Sequence, residues 1–318
     1  MKSVLITGGS GLIGSAMKQI MDDYKLEFYC TFLNSKQCDL CNYSETLKIF
    51  SEFKPDIIIH LAACVGGLFK NMSDKVRMLE ENVLINTHVV KAAHESGVQT
   101  LIGCLSTCIF PDQIENLNEN IIHDGPPHFS NEGYAYAKRL MDIHCRVYRQ
   151  SFNRNYFCII PTNIYGPNDN FNLEDGHVIP SLIHKAYLSK QRNNFFEIRG
   201  SGKPLRQFIY SLDIAKLIFQ LMEQKVSENI ILSPSDQYSI KEVAEIINKH
   251  FENDIVFNNS FADGQYSKTT DNSKLKDLFN FEFTSLEQGI SETIEWFKLN
   301  YDTLRLSLIH ISEPTRPY

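Results

Sequence analysis

Long apolar runs and blocks of one charge are both absent from this 318-residue sequence. No segment approaches the ~20 apolar residues of a membrane-spanning helix. The apolar run at residues 4–6 leads directly into glycines, so it is too short for a signal peptide. The net charge of -7 comes without an acidic block or a basic stripe, which argues against nucleic acid as a partner. We therefore expect a cytoplasmic protein that binds neither nucleic acid nor a membrane.

The sequence also has no pattern typical of a disulfide framework or a metal site. Without a secretory signal, its eight cysteines are best interpreted as reduced thiols. Cys38 and Cys41 have zinc-like spacing, but no second such pair follows and a structural site needs about four ligands. We predict that no metal is bound.

Alternating β-rich and helical segments fill the first half of the chain. Predicted strands lie at 3–7, 27–31, 57–60, 100–106 and 157–161, and predicted helices at 12–21, 45–53, 83–96 and 136–151. This alternation is typical of βαβ units. It predicts an α/β fold with a Rossmann-like, doubly wound parallel sheet.

The alternation loosens after residue 165, where a Gly/Pro/Asn-rich stretch at 166–170 indicates a loop. Helices are predicted at 179–188, 213–224, 240–251 and 286–300, with β segments at 195–199 and 208–210. We predict a dinucleotide-binding domain at 1–165 and a smaller C-terminal α/β substrate-binding subdomain at 166–306, with the chain able to cross back. Residues 307–318, which contain two prolines, are predicted to be a non-native or disordered tail.

A G-x-x-G-x-x-G turn follows the first predicted strand and opens a helix. Its glycines permit a tight turn, close approach of a pyrophosphate to the backbone, and packing of the helix on the strand. The helix N-terminus adds N–H donors and a positive dipole. A purely structural turn is the alternative. The predicted dinucleotide contacts are Gly8, Gly9, Ser10, Gly11, Leu12, Ile13 and Gly14.

The end of the second predicted strand bears on the choice of cofactor. An acidic residue there would accept hydrogen bonds from the ribose of NAD. Ser35 and Lys36 stand there instead and could bind the extra phosphate of NADP, although Lys36 could also be a solvated surface lysine. Asp39 is either an adenine contact or a turn residue. After the third strand, the residues expected near NADP(H) are Leu61, Ala62 and Ala63, and core packing would also favour the two alanines.

Tyr134 and Lys138 share one face of a predicted helix because four residues separate them. A nearby lysine cation would favour the phenolate, lower the phenol pKa and bind the nicotinamide ribose. Ser106, at the end of a predicted strand, is suited to bind a substrate carbonyl. The three residues resemble the catalytic triad of short-chain dehydrogenases. Tyr136 is a weaker candidate because it lies only two residues from Lys138.

Two further residues have open roles on sequence alone. Cys108 follows Ser106 by two positions and could act as a base if its thiol pKa were depressed, but it could also be an ordinary core cysteine. His177 could be an acid with a pKa near neutrality. As one of ten histidines, it is otherwise unremarkable.

Six phrases of the sequence resemble the GDP-L-fucose synthase family of bifunctional 3,5-epimerase-4-reductases. They are VLITGGSGL (4–12), HLAACVGGLF (60–69), CLSTCIFP (104–111), GYAYAKR (133–139), IPTNIYGP (160–167) and EDGHVIP (174–180). The glycine and Tyr/Lys phrases are common to the superfamily. The phrases around Cys108 and His177 are more specific to this family.

The resemblance implies a reaction on GDP-4-keto-6-deoxy-D-mannose. Cys108 would abstract the protons at C3 and C5, and His177 would return them. NADPH would then reduce C4, with Tyr134 donating a proton to the forming alkoxide and Ser106 stabilising it.

The resemblance also implies further contacts. Lys185 and Arg206 would bind the diphosphate or sugar of the substrate, and a homodimer would form through helices that include 136–151. Lys36 and Lys185 stand where some relatives have arginine, which replaces a planar fork by a point charge. The residues implied at the cofactor are Lys138, Pro161, Asn163, Ile164 and His177.

Two alternatives stay open. Another nucleotide-sugar epimerase or dehydratase of the same superfamily would keep the glycine turn and the Tyr/Lys pair, but would have no particular need for Cys108 and His177. A noncatalytic dinucleotide-sensing protein would have no need for Tyr134 or Lys138, and both are present.

Overall fold

Apolar strands build the central sheet of the computed structural model, which describes residues 1–304 except 26, 225, 227, 262 and 264–267. The predicted tail at 307–318 lies outside the described residues. The strands are β1 (Lys2–Thr7), β2 (Phe28–Leu33), β3 (Ile57–His60), β4 (Thr100–Cys104), β5 (Asn116–Leu117), β6 (Asn155–Pro161), β7 (Asn163–Tyr165), β8 (Phe196–Arg199), β9 (Leu205–Arg206), β10 (Phe208–Tyr210), β11 (Ile230–Leu232), β12 (Tyr238–Ser239), β13 (Ile255–Asn258) and β14 (Thr269–Thr270).

Six of these strands form one parallel sheet in the order β11-β6-β4-β3-β1-β2. The strand order reverses at β1, because β2 and β3 lie on its two sides. Ligands of doubly wound sheets bind beyond the carboxyl ends of the strands at such a point. All four residues of β3 are buried, as expected where helices cover both faces. The predicted Rossmann-like fold is confirmed.

Helices cover both faces of the sheet. Helices α1 and α7 pack together on one face, and α2, α4 and α5 form the layer on the other. The helices are α1 (Leu12–Ile20), α2 (Tyr43–Phe53), α3 (Leu68–Ser73), α4 (Lys75–Glu95), α5 (Glu132–Phe152), α6 (Val178–Arg192), α7 (Ser211–Glu223), α8 (Ile240–Asn248), α9 (Ser273–Leu278) and α10 (Leu286–Asn300).

The structure contains several short strands and helices that the sequence did not predict, and three of the differences concern the sheet and the site. β4 ends at Cys104 rather than at residue 106, because the chain turns into a 3₁₀ helix at Thr107–Ile109. α4 begins at Lys75 rather than at residue 83, since its first turns are largely exposed and lack apolar periodicity. β11 was not predicted, although it is buried beside β6 at one edge of the sheet.

A second core forms between α6, α8 and α10 in the C-terminal half. It is rich in aromatic rings, with Phe297 packed against both Phe171 and Tyr187. Two short strand pairs, β12 with β9 and β13 with β8, lie within this half. Two others, β10 with β7 and β14 with β5, join it to the first half of the chain, so that segments from both halves meet beyond the carboxyl ends of the sheet strands.

All eight cysteines carry free thiols. Among the described residues, no helix has the length and apolar character needed to cross a membrane.

Candidate active site

The glycine turn after β1 leaves no room for side chains. Gly8 has a φ of +70°, and a Cβ added there would lie 2.7 Å from the Ala62 nitrogen. A Cβ on Gly14 would lie 2.6 Å from the Gly8 oxygen, so α1 packs directly on the turn. The Gly9 N–H donates to the Leu33 oxygen at 2.9 Å and fixes the turn against β2. Because α1 begins after Gly11 without a side-chain cap, its first N–H groups can serve a phosphate.

The residues after β2 lie at the same edge of the sheet. Ser35 and Lys36 are exposed, and the Lys36 N–H donates to the Asn34 side-chain oxygen at 2.9 Å. Asp39 accepts a hydrogen bond from the Cys41 N–H at 2.9 Å, which is the turn role considered for it. The predicted residues 61–63 are half-buried and follow β3 directly.

Lys138 is buried beneath this edge, with 2% of its surface exposed. Its Nζ donates to the Cys104 oxygen at the end of β4 at 2.8 Å and lies 5.7 Å from the centre of the Tyr134 ring. Tyr134 is half-buried on the same face of α5, whereas Tyr136 is 42% exposed and stacks with Arg139. The structure thus brings Lys138 together with Tyr134.

Burial raises the pKa of Tyr134 well above its ordinary value, and negative charge on Cys108 and Cys104 would raise it further. The prediction that Lys138 lowers this pKa is therefore wrong for the protein alone, because the desolvation of the phenolate dominates. Burial also lowers the pKa of Lys138. Tyr134 is consequently held as a protonated phenol.

Ser106 and Cys108 lie on one tight turn that leaves the end of β4. The Ser106 hydroxyl oxygen accepts from the Cys108 N–H at 3.5 Å and caps the 3₁₀ helix. Burial raises the pKa of the Cys108 thiol, while Ser106, Lys268 and Lys138 act in the opposite direction. A depressed pKa was the condition for Cys108 to act as a base, and the net shift is upward.

Lys268 is a residue that sequence analysis missed. Its Nζ donates to the Thr107 oxygen at 2.7 Å, although 161 positions separate the two residues. It comes just before β14, a two-residue strand without apolar periodicity, so no sequence signal places it at the site.

His177 lies at the start of α6, where it is the N-cap residue. Its Nδ1 lies 3.9 Å from an Asp169 carboxylate oxygen, and this contact raises the pKa of the imidazole despite partial desolvation. The loop before His177 lies against the loop after β3, since a Cβ on Gly67 would be 3.0 Å from the Asp175 oxygen. His177 thus comes from a different segment of the chain than the Ser106 turn, and its imidazole lies beside Asp169.

The segment after β6 contains the other predicted cofactor residues. Pro161 is buried as the last residue of β6, and Asn163 is exposed. The Asn163 side chain donates to the Gln207 oxygen at 2.9 Å, and Ile164 pairs with Ile209 in the parallel β7–β10 ladder. Asn163 therefore ties the end of the large sheet to the segment that contains Arg206.

The two predicted substrate cations are both half-buried. Burial and then the charge of Arg199 lower the pKa of Lys185. Burial lowers the pKa of Arg206, whose Nη1 donates to the Leu205 oxygen at 2.7 Å and whose charge acts on Lys268. Two cations that lie close enough for one to lower the pKa of the other are suited to bind the same anion.

A buried polar chain holds α5 in place behind the site. The Ala62 N–H donates to the Thr7 hydroxyl at 3.3 Å, and Thr7 Oγ1 lies 2.7 Å from His60 Nδ1. His60 Nε2 lies 3.1 Å from Asn86 Oδ1, and the Asn86 amide donates to the Ala137 oxygen at 3.2 Å. Every donor meets an acceptor if His60 is neutral and protonated on Nε2. Burial, assisted by the charge of Lys138, lowers the pKa of His60 to about 3.

A glycine turn at a switch point, together with a serine, tyrosine and lysine at the same strand ends, defines an enzyme of the short-chain dehydrogenase type. The profile of the NAD dependent epimerase/dehydratase family matches residues 4–232.

Within that class, the chain is 46% identical over 312 residues to a GDP-L-fucose synthase of Dictyostelium discoideum, covering 96% of this chain and 98% of that protein. The solved structure of a GDP-L-fucose synthetase from Naegleria fowleri bound to NADP is 43% identical, with a TM-score of 0.89, and the match covers 96% of this chain and 95% of that one. The chain belongs to the GDP-L-fucose synthase family.

The low pKa of His60 predicts how stability depends on pH. Because the folded protein disfavours protonation of His60, the contribution of neutral His60 to the free energy of unfolding is fully present above pH ~6.5. This contribution falls as the pH decreases toward 3, by about 2 kcal/mol at pH 5. His60→Leu should lower the free energy of unfolding at pH 7 and also reduce its loss between pH 7 and 5, measured by urea denaturation. Asn86→Leu breaks the same chain but leaves His60 in place, so it should keep the pH dependence. Equal slopes in wild type and His60→Leu would contradict this assignment.

Proposed function

We propose that this protein is a GDP-L-fucose synthase that epimerises GDP-4-keto-6-deoxy-D-mannose at C3 and C5 and then reduces C4 to give GDP-L-fucose. The observation that carries the proposal is the tight turn that contains both Ser106 and Cys108, two positions apart, with Lys138 of α5 close enough for its charge to favour the Cys108 thiolate. A reductase alone needs only the serine, tyrosine and lysine. The added thiol supplies a group for proton abstraction next to the same carbonyl.

The cofactor is NADP(H), which supplies a hydride to C4 when it is bound. The glycine cradle fits a dinucleotide, because side chains at Gly8 or Gly14 would fill it, and exposed Lys36 is placed to meet a ribose phosphate. The Naegleria fowleri relative binds NADP. The residues that would hold the cofactor are Gly8, Gly9, Ser10, Gly11, Leu12, Ile13, Gly14, Ser35, Lys36, Asp39, Leu61, Ala62, Ala63, Lys138, Pro161, Asn163, Ile164 and His177.

Epimerisation uses the acidity of the carbons beside the C4 ketone. The Cys108 thiolate removes the proton from C3 or C5, and the electron pair delocalises onto the ketone oxygen as an enolate. His177 is suited to return a proton to the opposite face, because Asp169 raises its pKa and favours the protonated imidazolium.

Reduction uses the same oxygen. Tyr134 donates its phenolic proton to the C4 alkoxide as the carbonyl is reduced, and the raised pKa of Tyr134 keeps that proton in place beforehand. The Ser106 hydroxyl donates a hydrogen bond to the oxygen where charge develops. Lys138 stabilises the tyrosinate that forms, since its ammonium lies beside the ring.

The C-terminal region, mainly residues 166–306, binds the nucleotide sugar. Lys185 and Arg206 are both half-buried, and desolvation lowers the pKa of each. An anionic diphosphate would favour the charged forms of both side chains. We place this reaction in the cytoplasm, where the thiol of Cys108 stays reduced.

The protein functions as a homodimer through α4 and α5. The helical spacing puts Tyr136, Leu140, Ile143 and Val147 on one face of α5. On α4, Leu79 and Val83 line the same shallow hollow as Tyr136. An apolar surface on two adjacent long helices fits a second copy of the same pair.

The proton-transfer roles predict separable defects. In D₂O with GDP-4-keto-6-deoxy-D-mannose, Cys108→Ser should reduce deuterium entry at C3 and C5 by about 100-fold or more, because the base is lost. Tyr134→Phe should keep this exchange but reduce NADPH oxidation by about 100-fold or more, since only the reduction needs the phenol. NMR measures the exchange and absorbance at 340 nm the oxidation.

Cys41→Ser changes another half-buried thiol and should leave both rates unchanged. Unaltered exchange in Cys108→Ser would remove the thiol from the mechanism. If the wild type forms no GDP-L-fucose from this substrate and NADPH, the proposed function is wrong.

Lys36 predicts the cofactor preference. Lys36→Ala should raise the KM for NADPH by about tenfold, as expected for a lost charge-assisted contact of ~1.4 kcal/mol, and leave the KM for NADH unchanged. Lys48→Ala, which removes an exposed lysine from α2, is the matched control. Equal effects on both cofactors would show that Lys36 does not contact the phosphate.

The apolar face predicts the effect of a charge on assembly. Leu79→Glu should convert the dimer to a monomer in sedimentation-velocity experiments, because a carboxylate buried at the interface lacks a partner. Val256→Glu, at an exposed apolar residue on β13, should leave the dimer intact. A wild-type protein that sediments as a monomer would overturn the assignment.

A further inference from the structure

A short segment from the C-terminal half reaches the turn that contains Ser106 and Cys108. Lys268 donates from Nζ to the Thr107 oxygen at 2.7 Å, and Thr107 lies between those two residues. This is a long-range contact that joins the second half of the chain to the end of β4. It makes the position of the Cys108 turn depend on a residue outside the dinucleotide-binding half.

The backbone that follows Lys268 is firmly anchored. The Thr269 N–H and hydroxyl donate to the Glu115 oxygen at 3.1 and 2.6 Å. The Thr270 N–H and hydroxyl both donate to the Gln207 side-chain oxygen at 2.9 Å, and Gln207 is 3% exposed. Such anchoring fixes where the lysine side chain begins, so its ammonium meets the Thr107 oxygen without the entropy cost of ordering a loose segment.

The charge of Lys268 has no carboxylate partner within 4.0 Å among the described residues. Burial and the nearby Arg206 lower its pKa, which means that the cation pays for desolvation and repulsion. A partly buried cation in this position lowers the stability of the folded protein unless an anion lies beside it. The negative charge of Cys108 favours the Lys268 ammonium most, and that of Asp112 has a smaller effect.

The ionisable groups around Cys108 come from several elements. Lys138 and Tyr134 lie on α5, and Cys104 ends β4. Lys268 precedes β14, and Arg206, on β9, acts on Lys268. Of the two cations that favour the thiolate, Lys268 has the larger effect and Lys138 the smaller.

We propose that Lys268 is a positioning residue for the epimerisation step, holding the Cys108 turn through the Thr107 carbonyl and stabilising the Cys108 thiolate by its charge. The proposal rests on the proposed function of Cys108 as the base. Lys138 lies beside Tyr134 and favours the Cys108 thiolate less than Lys268 does. The epimerisation therefore depends on a lysine other than the one that stands beside the tyrosine of the reduction.

The test measures alkylation of Cys108 by iodoacetamide against pH, followed by mass spectrometry of its peptide in the full-length protein without substrate. Lys268→Met should move the midpoint of the alkylation profile upward by about one pH unit, because the thiolate loses a unit charge nearby. Lys268→Arg keeps the charge and a donor, so its midpoint should stay near that of the wild type. Cys41, in the same samples, is the internal control and should keep its profile.

An unchanged Cys108 midpoint in Lys268→Met overturns the proposal. If that variant does not fold, Lys268→Gln, which keeps a donor for the Thr107 oxygen, gives the same comparison. A structural role alone would change the amount of folded protein but not the pH midpoint.

A kinetic measurement separates thiolate stabilisation from diphosphate binding. Lys268→Met should lower the maximal rate of deuterium exchange at C3 and C5 at pH 7 by about tenfold, while the KM for the GDP-sugar changes less than twofold. A rise in KM alone would assign Lys268 to substrate binding and overturn the proposal. The alkylation result does not require turnover. A shifted midpoint in a protein without GDP-L-fucose formation would therefore refute the proposed function but keep the electrostatic link, whereas an unshifted midpoint in an active enzyme would refute only the link.

Discussion

The burial of one ammonium group, that of Lys138, constrains the whole site. Its hydrogen bond to the Cys104 oxygen fixes α5 to the end of β4 and thereby sets Tyr134 close enough to Cys104 and Cys108 for their charges to act on its phenol. A cation with 2% of its surface exposed makes a second positive charge nearby expensive. His60, whose pKa is lowered to about 3 by its own burial and further by the charge of Lys138, stays neutral and can join Thr7 to Asn86. The charge of Lys138 therefore contributes to the protonation state of the scaffold behind the site.

Local sequence patterns predicted the glycine turn and the Tyr134–Lys138 pair, because both depend on spacing within one strand-turn-helix or one helix. The sheet itself was predictable for the same reason, since its strands are short buried runs between helices. β11 was not predicted, because a three-residue strand has too little pattern to identify and gains its stability from pairing with β6. Its position at the sheet edge is set by tertiary contacts alone.

Lys268 and the direction of the pKa shifts could not be read from the sequence for a related reason. The contact between Lys268 and Thr107 spans 161 positions, and nothing local to either residue indicates it. Burial is the main cause of the raised pKa of Tyr134, and the sequence reveals the neighbouring lysine but not the burial. Spacing therefore indicates which groups are candidates for the chemistry, whereas packing determines their protonation states.

Those protonation states fit a division of labour between proton donors and a proton acceptor. Burial raises the pKa of Tyr134, and Asp169 raises that of His177, so the phenol stays protonated and the imidazolium form is favoured. The acceptor is harder to build in the same pocket, because burial that preserves a phenol also disfavours a thiolate. Two cations partly offset this effect of burial. Lys138 on α5 and Lys268 from a segment distant in sequence both favour the charged form of Cys108. An enzyme that only reduces a ketone has no such conflict, so the second cation is a structural consequence of carrying out epimerisation and reduction at one carbonyl.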